Sequence, residues 1–233
     1  MTSISHREVN AVNKEWSELN KQMQLLLKKK DTYRDGIGKL IGLRNSIMKV
    51  IVSFKDEITR DELAAMPFPN ADGNHSTTIA WALWHTFRIE DTVVHTLIND
   101  DEQVFFSGDW QRRMNSPIIT TANELTKAEM TRFSELLDTD GLFGYISEVS
   151  KNTERILNAL PYERLKEKIP PERREELRKL NVVSGHEDAA WLIDYWCGKD
   201  IKGLIYMPLS RHWIMHTEAC LRIKEKLKNE HQT

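Results

Sequence analysis

The chain has 233 residues, 40% of them hydrophobic and 29% charged, which is enough apolar material for one well-buried core. Its 33 basic and 35 acidic residues nearly cancel, and this excludes the strong positive field that holds nucleic acid or an anionic membrane surface. Residues 1–18 are polar, and no run approaches the roughly 20 apolar residues of a membrane span. Cys197 and Cys220 are isolated among apolar neighbours, so a cytoplasmic protein with reduced thiols, no membrane association and no nucleic-acid partner is expected.

The first predicted element is a long amphipathic helix, because Val9, Val12, Trp16, Leu19, Met23 and Leu26 alternate at spacings of three and four. Its apolar stripe needs a partner, either the rest of the chain or a second subunit. Lys28, Lys29 and Lys30 follow it and read as a solvated run favoured by the helix C-terminal dipole. Gly36 and Gly38 soften a junction to a second helix carrying Leu40, Ile47, Ile51 and Phe54 and ending near Lys55. Thr59 or Asp61 starts a short turn, and 66–73, rich in helix breakers, is a loop.

A third helix is expected from about Ser76 to Asn99, apolar around most of its circumference and therefore central. An irregular stretch with Trp110 and Pro117 follows. Thr121 or Asn123 then caps a helix through Leu137, residues 138–141 break it, and another runs from Leu142 to Leu160. The charged stretch after Pro161, with a short helix from Glu172 to Leu180, reads as an exposed excursion. Ser184 and Glu187 have capping-box spacing before a helix that Gly198 ends, and a final helix after Pro208 carries the seam Leu209, Trp213, His216, Cys220, Ile223 and Leu227.

That seam contains a histidine. His212 and His216 stand four apart, so they share one helix face with Cβ atoms roughly 5–6 Å apart and can chelate one ion. HxxxH alone is weak, because hydrogen-bonded core histidines give the same spacing. His85, near the middle of the third helix, strengthens the case: packed helices lie about 8–10 Å apart, close enough for a third imidazole to reach the pair. Near it, Arg88 is a candidate for holding an anionic substrate group or for an ion pair. Glu90 and Asp91 are candidates for orienting a ligand imidazole or accepting a proton, or for ordinary salt bridges. Trp81, Trp84 and Trp213 can wall a pocket or fill the core. His95 lies about 15 Å further along the helix axis, while His75 and His186 sit at helix beginnings and His6 and His231 near the ends, so none of these five is a ligand candidate.

The segment Asn74-His-Ser-Thr-Thr-Ile-Ala-Trp-Ala-Leu-Trp-His85 with Arg88, Glu90 and Asp91, followed by His212 and His216, resembles the DinB/YfiT-like superfamily across roughly Leu40–Leu227. The resemblance implies an all-α fold, a DinB-like four-helix bundle with an extra N-terminal helix and a helical insertion before the last helix. It divides the chain into a helical extension, 1–34, and a bundle domain, 35–233. It implies one divalent metal, zinc or nickel, on His85, His212 and His216, and frequent homodimers. For some members it implies transfer of a low-molecular-weight thiol, such as bacillithiol or mycothiol, to a small electrophile. Neither cysteine of this chain reads as a nucleophile, so the thiol would be a cosubstrate. A metal-dependent hydrolase, using water at the same open position, and a non-enzymatic stress-related protein with a structural ion are the alternatives.

Overall fold

The computed structural model describes residues 6–230, with side chains from Val9 onward. Among these residues the fold is all-helical, and the only strand-like pairing is an isolated bridge between Lys168 and Asp200. Among the described residues no helix is long and apolar enough to cross a membrane. Two compact units emerge. One holds the described residues up to Leu83, with Thr126–Glu135 and those from Ser210 onward; the other holds Trp84–Leu125 and Leu136–Leu209.

In the first unit, α1 (His6–Leu26) packs along α2 (Tyr33–Glu57), and α12 (His212–Glu230) packs on both. Half of the expected α1 stripe is covered by these helices: Val9, Trp16 and Met23 are buried, whereas Val12, Leu19 and Leu26 are only half-buried. Leu27, just past the helix, is buried as well, and Trp16 Nε1 donates to Ser46 Oγ of α2 at 3.0 Å. Gly36 belongs to the first turns of α2 rather than to a junction. A Cβ there would lie 2.8 Å from Leu27 Cδ2 and 3.0 Å from the Leu27 amide nitrogen, so a larger residue would force the buried Leu27 to shift at the α1–α2 corner. Lys28–Lys30 are exposed just past α1. Thr59 and Glu62 form a reciprocal capping box on α3 (Arg60–Ala64).

Helix α4 (Ile79–Asp91) starts three residues later than the composition suggests, because Thr78 Oγ1 accepts from Trp81 N at 3.0 Å and also bonds Ser134 Oγ at 2.6 Å. It continues as a π-helix, Thr92–Asn99, closed by Asp100 in the left-handed region at φ 58°. Burial is nearly continuous along both.

The irregular stretch after it contains two short helical turns, α5 (Val104–Ser107) and α6 (Trp110–Arg113). The expected cap at Thr121 or Asn123 does not form: α7 spans Lys127–Leu136, and Thr126 with Glu129 makes the capping box instead. The expected break between the two helices is present but falls at Leu137 and Asp138 rather than over 138–141. Asp138 accepts from Gly141 N at 2.7 Å and caps α8, Thr139–Ala159. Helix α9 (Glu172–Leu180) matches the charged excursion. At α10 (Glu187–Cys197) the cap is His186, whose Nδ1 accepts from Asp188 N, while Ser184 only accepts from His186 N. The Ser184–Glu187 capping box is therefore replaced by a His cap. Helical backbone begins before Pro208, with α11 at Ile201–Tyr206 and a π-turn at Met207–Arg211. The looser π-turn accommodates proline's missing donor.

Candidate metal centre

His85, His212 and His216 are all buried, and one ligating atom from each lies within 4.8 Å of the other two, so the three can hold a metal ion. The pair on α12 has ring centroids 4.4 Å apart in an edge-on arrangement, the consequence of i,i+4 spacing on one helix face. Trp81 packs its ring on His216 at 6.0 Å. On the neighbouring turn, the Arg44 guanidinium stacks 4.0 Å over Trp213. The tryptophans named from the sequence are buried wall and core residues.

His85 is carried by α4. Its Nδ1 lies 2.8 Å from the Thr121 carbonyl; a carbonyl only accepts, so Nδ1 carries the proton and Nε2 is left with a lone pair. Burial pulls the His85 pKa down to about 4, with the Thr121 bond opposing it. The imidazole is therefore a neutral base at physiological pH, the form in which histidine ligates a metal.

Arg88, Glu90 and Asp91 are fully buried and are committed to partners. Arg88 Nε and Nη2 donate to the Ile119 carbonyl at 3.1 and 2.9 Å, and Nη1 lies 3.2 Å from Asp91, Gln103 and Tyr145. Asp91 accepts from the Val104 and Phe105 amides and from the Tyr145 hydroxyl. Burial, offset by Arg88, raises the Asp91 pKa. Glu90 accepts from Thr153 at 2.7 Å. Each is an internal hydrogen-bonding group, and Arg88 with Asp91 forms the ion pair expected as the alternative to a role with substrate.

The remaining histidines go elsewhere. His95 Nδ1 lies 2.6 Å from Asp101, His75 pairs with Glu218 at 3.4 Å, and His186 caps α10. His231 and the side chain of His6 lie outside the described residues. Both cysteines are free and buried, and burial raises both thiol pKa values, Cys220 very strongly. Neither is a ready thiolate.

Sequence reading missed Thr121 as a partner of the site, because an irregular segment's carbonyl leaves no signature in residue type. It also missed Tyr145, which lies 54 residues from the Asp91 it serves. Comparison with family models, with curated proteins and with solved structures finds no match. The resemblance thus rests on the Asn74–His85 segment with Arg88, Glu90 and Asp91 and on the late HxxxH pair.

Proposed function

We propose that this chain is a cytoplasmic DinB-like metalloprotein, a four-helix-bundle enzyme that holds one divalent ion, zinc or nickel, on His85, His212 and His216. In this reading it transfers a low-molecular-weight thiol to a small electrophile, working as a homodimer. The observation that carries the reading is the convergence of three buried imidazoles within 4.8 Å.

Three imidazole ligands would leave a coordination position open on a bound ion, as catalytic rather than closed structural sites do. An ion bound there would stabilise a thiolate near neutral pH. The chain's own contribution is positional. Thr121 fixes the His85 tautomer, Trp81 limits the movement of His216, and burial of all three rings keeps bulk water from competing. The two inert thiols of the chain require the nucleophilic sulfur to come from a cosubstrate.

The test is elemental analysis of protein purified without chelator, followed by a thiol-consumption screen with bacillithiol, mycothiol and a panel of electrophiles. About one ion per chain and metal-dependent thiol loss are expected. Less than a tenth of an ion after incubation with zinc or nickel would overturn the metal assignment. Full occupancy without thiol consumption would overturn the transferase reading.

A further inference from the structure

Three consecutive carbonyls, Ile119, Thr120 and Thr121, are captured by three side chains of one helix. Trp84 Nε1 donates to Thr120 at 3.0 Å, His85 Nδ1 to Thr121 at 2.8 Å, and Arg88 twice to Ile119, at 3.1 and 2.9 Å. In a straight extended segment, successive carbonyls point to opposite sides. Here the backbone bends at Thr120 and Ala122, and Ala122 is forced to φ 63°. A non-glycine residue in that region is strained, so the captured arrangement needs strong anchors. The Thr121 amide is tied from the other direction by the Val182 carbonyl at 3.1 Å.

Arg88 is the strongest anchor. It is buried completely, stacks 4.1 Å over Phe105, and is itself fixed by Asp91, Gln103 and Tyr145. Its fork therefore has no freedom to follow a shifting strap. The strap is instead made to follow the fork.

Resting on the metal reading of the three histidines, we propose that Arg88 is a positioning residue for the His85 ligand. By clamping Ile119 it sets the register of the 119–121 strap, so that the Thr121 carbonyl meets His85 Nδ1 and aims Nε2 at the ion. Partners of this kind around a ligating histidine change metal affinity by about 10–100-fold when removed. Trp84 is the second, weaker anchor of the same strap.

The experiment has two readouts. In chelator-treated, ¹⁵N-labelled protein, the His85 Nδ1–H should exchange slowly with solvent. In Arg88→Met its exchange should rise about tenfold or more, with a smaller rise in Trp84→Phe. In protein titrated with cobalt(II) and zinc(II), Arg88→Met should weaken binding about tenfold or more and alter the cobalt d–d bands, and Arg88→Lys should recover part of the affinity. Thr153→Val, which removes a buried hydrogen bond to Glu90 outside the strap, is the control for lost stability and should move neither readout. If Arg88→Met does not fold, Trp84→Phe carries the test with the same expected directions. Equal exchange and affinity in the anchor variants and Thr153→Val would overturn the proposal. If wild type binds neither cation, the functional reading fails and the Nδ1–H exchange alone decides the positioning role.

Discussion

His85 and His95 lie ten residues apart on one continuous helical run and are almost equally buried, at 4% and 2% exposure, yet they face opposite chemistries. The Nδ1 partner of His85 is a neutral carbonyl. His95 sits between carboxylates, with Nδ1 2.6 Å from Asp101 and Nε2 3.9 Å from Asp91. Burial alone therefore does not make a ligand histidine. A neutral partner leaves the second nitrogen as a free-energy-cheap donor to a cation, whereas flanking carboxylates tie the ring into the charge network around Arg88.

The largest expected effect tests this contrast directly. His85→Ala, His212→Ala and His216→Ala should each lower metal content at least about tenfold, measured by elemental analysis after equilibration with zinc at neutral pH. His95→Ala should leave it unchanged. Loss of metal in His95→Ala, with retention in His85→Ala, would reverse the assignment of the two histidines.

Next in size is Trp16→Asp, which asks whether the first unit is held as firmly as the second. Trp16 has no exposed surface and its indole bonds Ser46, so replacing it with a charged residue should cost about 4 kcal/mol or more. For a chain of this size the melting temperature should fall by roughly 10–15 °C. A folded variant that melts like wild type but changes mass in light scattering would place the α1 seam at a subunit interface instead.

The pH response tests His85 by itself. The folded-state pKa of His85, about 4, lies below its ordinary value of 6.5. Between these two values the unfolded chain binds a proton that the folded chain refuses. Stability of the metal-free protein should therefore be unaffected by this group above pH 6.5 and fall by up to about 3 kcal/mol as pH drops toward 4. His85→Asn keeps a donor for Thr121 without a titrating ring, and should flatten that part of the profile in denaturant melts. An unchanged slope would mean that His85 is not the group responsible.

The elements legible in the sequence were those whose apolar period repeats over several turns: α1, α2, the central helix, α8 and α12. The three histidines were legible for the same reason, because i,i+4 spacing and a mid-helix position translate directly into side-chain direction. Boundaries governed by competing hydrogen bonds were less so. Thr121 and Asn123 have the residue types of helix caps, but Thr126 with Glu129 offers a reciprocal pair and wins. Arg88 was read as a partner for a substrate anion or an acidic side chain, and Asp91 is that acid, but nothing in a linear pattern reveals that Gln103, Ile119 and Tyr145 also converge on it.

The smallest effect concerns a charged pair in the first unit, the counterpart of His95's carboxylate partnership. Lys224 of α12 is buried, stacks 5.5 Å from the Phe54 ring centroid and bonds Glu57 of α2. That bond holds the Glu57 carboxyl below its usual pKa of 4.5, against the opposing effect of burial. A depressed carboxyl pKa contributes stability above pH 4.5, and the contribution disappears as pH falls through the lower folded-state value. Because Glu57 is about one-third exposed, at 32%, screening keeps the interaction weak. Glu57→Gln should therefore cost on the order of 1 kcal/mol at neutral pH, a fall of about 2–4 °C in melting temperature. The difference from wild type should vanish in acid, once the native carboxyl is itself protonated. A difference that persists undiminished across the acid range in which the protein stays folded would assign the effect to packing around Phe54 rather than to charge, and metal content should be identical in the two proteins throughout.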